Sequence, residues 1–141
     1  MRHFLDHPVG WAPARLAEIY DEYALLDTIL EEAGLTPARD DLRHDEEHRL
    51  SAATITHLLA DSGFKAARVF EQDFSMHFAD GSAMLRHSLV KWFLDSWRQA
   101  VGAENERDVF NTLQARLNAG AERDGCVEMC VPMLYLEAIA V

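Results

Sequence analysis

The sequence has few cysteines, few basic side chains and no long apolar run. Its 141 residues include two cysteines, and 13 lysines and arginines stand against 24 acidic residues, a net charge of -11. Nucleic acids and anionic membranes bind to cationic surfaces, so this composition argues against both as partners. No apolar run approaches the roughly 18 to 20 residues of a membrane-spanning helix. The first residues also lack the apolar core of a signal peptide, so we expect a cytoplasmic protein.

The glycines are too widely spaced for a nucleotide-binding loop. They lie at positions 10, 34, 63, 81, 102, 120 and 125, which excludes both the G-x-G-x-x-G turn and the G-x-x-x-x-G-K-[ST] phosphate loop. No serine stands in a G-x-S-x-G nucleophile elbow. The sequence therefore assigns no catalytic and no cofactor-binding residue, and it carries no complete signature of a self-contained enzyme.

The two cysteines do not form a metal or redox motif. Cys126 and Cys130 are four residues apart in a predicted strand, which separates them by about 13 Å at ~3.3 Å per residue. That distance is too long for a disulfide bond between them. We expect two reduced thiols.

The chain is predicted to form a single domain, 1–141, in three parts. Residues 1–35 form an acidic helix, because the apolar residues of 13–33 recur on one face with Gly34 following as the C-cap. Residues 36–50 form a polar loop, and residues 51–141 form a helix-strand-helix-helix-strand unit. Residues 1–48 hold four basic and twelve acidic side chains, a net charge of -8. We expect this acidic part to be a solvated outer face, with Glu22 on its polar side.

Apolar spacing after residue 50 predicts an α+β fold. Ser51 can cap a short helix whose inner face is Ile55, Leu58 and Leu59, and Gly63 ends it. Alternation with period two predicts long antiparallel strands at 64–78 and 126–138. Between the strands lie a helical stretch from Ser82 to Gly102, with Leu89 and Trp92 inward, and a helix over 104–123. The expected architecture is a helix-rich partial α/β domain with two strands and four or five helices.

One short motif permits a metal-dependent reaction. His44-Asp45-Glu46-Glu47-His48 satisfies H-x-x-E-H, in which two histidines one helical turn apart bind zinc and the glutamate activates a water molecule. The motif needs a helix, whereas the flanking charged residues predict a loop, and no third ligand is indicated. A zinc hydrolase using His44, Glu47 and His48 is a minor alternative, and no metal ligand is assigned.

Five segments carry a family resemblance. They read HRLS at 48–51, LLADSGF at 58–64, FSMHFADGSAMLRH at 74–87, LQARLN at 113–118 and GCVEMCVPMLY at 125–135. With the order of elements around them, residues 12–141 resemble the C-terminal half of class I S-adenosylmethionine-dependent methyltransferases. The resemblance implies the sheet-closing, substrate-side half of that fold. The N-terminal Rossmann half, which binds the cofactor in that family, has no counterpart here.

The resemblance implies a substrate surface without a cofactor site. The residues that would line it are His48, Arg49, Phe78, Arg86, His87, Trp97 and Tyr135. Methyl transfer depends mainly on positioning the nucleophile, so these residues would orient a small-molecule substrate. S-adenosylmethionine would then be bound by a cofactor-binding subunit or a missing N-terminal half, with no chemistry in the isolated chain. The alternative is a non-catalytic homodimeric ligand-binding or interaction module that covers its own strand edges by dimerising.

Overall fold

The computed structural model describes residues 21–47 and 51–141. In these ranges the chain is an α+β fold with seven helices and a two-stranded antiparallel sheet. The elements in chain order are α1 (Asp21–Glu32), α2 (Thr36–Glu47), α3 (Ala52–Asp61), β1 (Phe64–Phe78), α4 (Gly81–Arg86), α5 (Ser88–Phe93), α6 (Asp95–Val101), α7 (Ala103–Asp124) and β2 (Val127–Ala140). Within the described ranges, no helix is long and apolar enough to cross a membrane.

The predicted loop over 36–50 is wrong, because Thr36–Glu47 is a helix. Its residues are mostly polar, but Ala38 and Leu42 lie four apart and are buried at 7% and 0% exposure. They belong to the same buried cluster as Leu26 and Leu30 of α1, and α2 contacts both α1 and α6. A stripe of only two apolar residues is too narrow to stand out in a charged sequence.

An ion pair between α1 and α2 adds to this contact. Arg39 donates two hydrogen bonds of 2.8 Å to the two carboxylate oxygens of Asp27, and its guanidinium also lies 3.2 Å from Glu31. The bidentate geometry is the one that stabilises such pairs most. Part of the acidity of the first helix is therefore neutralised by α2.

Two predictions around α3 are confirmed, namely the N-cap at Ser51 and the end of the helix at Gly63. The Ser51 side chain accepts a hydrogen bond from the Thr54 backbone N–H, and Gly63 has a φ of 84°, which suits glycine. The predicted burial of α3 is wrong: none of its residues is buried, and Leu58 is 50% exposed. Among the described residues, the main contact of α3 is with β1, which covers one side of the helix.

The helical stretch after Ser82 consists of three short helices that meet at His87 and Leu94. The predicted burial of Leu89 and Trp92 is wrong, because they are 38% and 73% exposed. The break at His87, whose ψ of 132° is extended, changes which side of the following helix faces the core. Val90 and Leu94 are buried instead.

The two strands form one long ribbon. β1 has 15 residues and β2 has 14, and they pair in antiparallel register from Phe64 opposite Ala140 to Phe78 opposite Val127. The first strand has its predicted bounds of 64–78, whereas the second runs from 127 to 140 rather than from 126 to 138. A bulge interrupts the register between Ala66 and Arg68.

Among the described residues, the helical layer covers one side of the ribbon at the end near Phe78. Phe78, Val127, Met129 and Val131 are buried in the same core cluster as Leu113 and Leu117 of α7. Further along, the same side carries Phe70, Phe74, Met133 and Tyr135, which are between 45% and 55% exposed. We call residues 64–74 and 132–140 the distal ribbon, and the side that carries these four residues its apolar face.

Candidate functional site

The turn after β1 positions Arg86 and His87, two residues of the substrate surface that the family resemblance implies. Asp80 caps α4 by accepting a hydrogen bond of 2.7 Å from the Ala83 N–H. Asn118 of α7 accepts a bond from the Ser82 N–H at 3.1 Å and donates one to the Ser82 hydroxyl at 3.2 Å. These contacts fix the start of α4 against α7, and thereby fix the direction in which the chain continues to Arg86 and His87.

Gly81 in this turn is a packing position. A Cβ atom at Gly81 would lie 2.4 Å from the Leu117 Cβ atom, so α7 fills the space beside it. In a dinucleotide-binding turn, the glycine after a strand leaves room for the cofactor. Gly81 follows a strand and begins a helix, but the helix packed against it leaves no such room. The described residues therefore do not fit a cofactor site at this turn.

Phe78 and His87 are brought together. Their rings meet edge to face with centroids 5.5 Å apart. Phe78 is 8% exposed, whereas Arg86 and His87 are exposed. The buried phenyl ring thus supports an imidazole and a neighbouring guanidinium at the surface, and both can donate hydrogen bonds to a ligand.

Trp97 and Tyr135 lie in other surroundings. Trp97 is 4% exposed in the helical layer and packs edge to face on Tyr23, with centroids 6.1 Å apart. Tyr135 lies opposite Phe70 on the apolar face. Phe70 is eight residues from Phe78 along β1, about 26 Å at ~3.3 Å per residue. A single small-molecule site therefore does not include both Tyr135 and His87.

The rest of the predicted substrate set lies outside the described residues, namely His48 and Arg49. The structure thus joins Phe78 and His87, with Arg86 next to His87 in the chain, and separates Tyr135 from them.

The helix that the zinc motif needs is present, since His44 and Glu47 belong to α2. His48 lies outside the described ranges, and His44 is exposed. Among the residues that the structure does describe, no group of three or more His, Cys, Asp or Glu side chains could hold a metal ion. The zinc-hydrolase alternative therefore has the helix that it needs, and the described residues provide no third ligand for it.

Both cysteines are free and half-buried. Burial raises the pKa of the Cys130 thiol, and the carboxylates of Asp73 and Glu128 raise it further, although a hydrogen bond with Ser75 opposes them. A raised pKa keeps the thiol protonated, and the thiolate is the nucleophilic form. Cys130 is therefore a poor nucleophile in this position.

One buried group was missed by sequence reasoning. Glu22, expected on the polar face of its helix, is 5% exposed. Its neighbour Tyr23 lies on the predicted apolar face of that helix, is half-buried and packs against Trp97. Burial and the charges of Glu46 and Asp27 raise the pKa of Tyr23. The burial of Glu22 has no local sequence signal, because it depends on how other parts of the fold pack against α1.

Comparisons with protein-family models, with curated proteins and with solved structures found no match to this chain.

Proposed function

We propose that this chain is the substrate-binding, sheet-completing C-terminal region of a methyltransferase-like protein, in the cytoplasm. A cofactor-binding subunit or a preceding Rossmann half would hold S-adenosylmethionine, which supplies the electrophilic methyl group when bound. The isolated chain would position a small-molecule methyl acceptor and catalyse no transfer by itself.

The exposed apolar face of the distal ribbon carries this proposal. Two-stranded sheets are marginal in water unless further strands or helices cover them. Here α3 packs against β1, while the apolar face has Met133 and Tyr135 more than half exposed. A sheet built in this way fits a larger protein that supplies the missing strands and covers this face.

The surface of Phe78, Arg86 and His87 supports the substrate role. Phe78 is fixed in the core, and the turn held by Asn118 positions the two polar residues at the surface. Such preorganised donors orient an acceptor group without requiring acid–base chemistry.

An NMR titration of the purified chain tests the proposal. A panel of small phenols, thiols, amines and carboxylic acids is added, and backbone amide shifts are followed. We expect a ligand to perturb Arg86 and His87, and His87→Ala to weaken its binding. The matched control is His57→Ala on α3, an exposed histidine whose side chain is 78% accessible. Methyl transfer by the chain alone, or binding of S-adenosylmethionine to it, would refute the proposed division of labour.

The second candidate is a non-catalytic interaction module. It is favoured by the same distal ribbon, because exposed strand edges and apolar faces are typical of assembly surfaces. It predicts self-association and no perturbation of His87 by any compound of the panel.

A further inference from the structure

Among the described residues, β2 pairs with β1 alone, so its other edge, called the free edge below, presents a row of backbone donors with one gap. Just beyond the ends of the two strands, the Val141 N–H after β2 donates a hydrogen bond of 3.0 Å to the carbonyl oxygen of Gly63 before β1. Donors alternate between the two sides of a strand, so odd-numbered N–H groups of β2 point toward β1. The even-numbered ones, including those of Leu134, Leu136 and Ala138, point to the free edge. Pro132 also belongs to this set and has no N–H.

The two edges of the ribbon differ in how well they are protected against pairing. β1 carries Lys65, Arg68, Glu71 and Asp73 and contains the bulge. Charged residues and bulges are the features that natural sheets use to block edge pairing. By contrast, the eight residues from 133 to 140 of β2 include a single charge, Glu137. The β2 edge is therefore the edge that is open to another strand.

We propose that two copies of this chain pair through residues 132–140 of β2, antiparallel, about a two-fold axis at Leu136. Each residue n then lies opposite residue 272 − n of the partner subunit. This arrangement forms a four-stranded sheet with the two β1 strands at its outer edges. A two-fold interface uses the same surface on both copies and closes on itself.

The residues of this segment are complementary to themselves in that register. Met133 lies opposite the partner subunit's Ile139, so two side chains that are 55% and 58% exposed in the single chain come together. Tyr135 lies opposite the partner subunit's Glu137, and a phenol can donate a hydrogen bond to a carboxylate. Pro132 lies opposite the partner subunit's Ala140, at the end of the pairing, where its missing donor costs least.

Charge does not oppose this contact. The net charge of -8 on residues 1–48 belongs to the part of the sequence before α3. On the distal ribbon itself, Glu137 lies 3.6 Å from Arg68 of the same chain. A second copy therefore meets a nearly neutral apolar strand. Shifting the two-fold axis by one residue, to Glu137, would place two like charges directly opposite each other, which destabilises antiparallel pairs.

This pairing is independent of methyl-acceptor binding, and a cofactor-binding partner would compete for the same edge. Loss of self-association therefore refutes the dimer and leaves the proposed substrate surface untouched, because that surface is tested separately by shifts at Arg86 and His87.

Cysteine cross-linking tests the register. In a Cys126→Ser, Cys130→Ser background, Leu136→Cys places two thiols at the axis with Cα atoms about 5.5 Å apart, within disulfide range. Leu134→Cys is the matched control, because its two copies lie about 13 Å apart along the paired strands. On oxidation by dissolved oxygen, which takes up the two electrons and two protons of each thiol pair, we expect a disulfide-linked dimer for the first variant and none for the second. Equal cross-linking of both variants, or of neither, overturns the register.

Analytical ultracentrifugation of the full chain tests which strand edge forms the dimer. Ala138→Pro removes a donor from the free edge of β2 and leaves every bond to β1 in place. Glu71→Pro does the same on the free edge of β1. We expect a dimer for the unmodified chain, at least about tenfold weaker dimerisation for Ala138→Pro, and an unchanged dimer for Glu71→Pro. A monomer at micromolar concentrations, or equal effects of the two prolines, overturns the proposal.

Discussion

Replacing Leu42 by alanine tests whether α2 belongs to the folded core. Leu42 is 0% exposed in a helix whose only other buried apolar residue is Ala38. The change removes three carbon atoms from a fully buried position, about 2.4 kcal/mol at ~0.8 kcal/mol per methylene. Incomplete collapse of the cavity adds to this, so we expect a loss of about 3 kcal/mol in the free energy of unfolding.

Leu58→Ala on α3 is the matched control. Leu58 is 50% exposed, so the same change there removes only about half of the transfer free energy, roughly 1 kcal/mol. Urea unfolding followed by circular dichroism measures both variants, with equal m-values as the check that the denatured states are comparable. Equal losses for Leu42→Ala and Leu58→Ala would show that α2 does not pack as described.

Three further predictions follow from particular contacts. Gly81→Ala places a methyl group 2.4 Å from the Leu117 Cβ atom, so a thermal melt should show a loss of about 1–3 kcal/mol in stability. The control is Gly120→Ala, where the nearest atom to the new Cβ is the end of Arg123 at 3.8 Å; this change should not destabilise α7. Hydrogen bonds from Arg39 lower the pKa of Asp27. The pair therefore stabilises the fold at pH values above the unfolded-state pKa of Asp27, and this contribution is lost as pH falls through the lower folded-state pKa. Arg39→Ala should flatten that part of the acid-unfolding curve, and an unchanged curve would refute the pairing. In a Cys126→Ser variant, Cys130 should react with iodoacetamide only at a higher pH than an ordinary thiol does. Asp73→Asn should lower the pH midpoint of this reaction, because Asp73 raises the pKa of Cys130. A midpoint that stays the same or rises would contradict the assigned cause.

Local signals predicted the parts of the fold that local physics determines. The Ser51 cap, the turn at Gly63 and the long period-two strand ending at Phe78 follow from side-chain chemistry within a few residues. Helix α2 could not be predicted, because its stability depends on the burial of Leu42 among the packed helices and on Arg39 pairing with Asp27, both of which are tertiary contacts.

The candidate site was predicted less well than the fold, for the same reason. Phe78 and His87 are nine residues apart in sequence, and they meet because Asn118, far along the chain, holds the turn between them. Tyr135 was grouped with them by resemblance, whereas the strand register places it opposite Phe70. The methyltransferase resemblance itself stays a prediction.

Hydrogen exchange along β2 tests most directly whether the sheet is incomplete. The N–H groups of Met133 and Tyr135 point toward β1, and those of Leu134, Leu136 and Ala138 point to the free edge. In dilute, monomeric protein we expect slow exchange for the first set and fast exchange for the second, with the second becoming protected as protein concentration rises. Protection of the second set at every concentration would contradict the account, because another part of the same chain would then already complete the sheet.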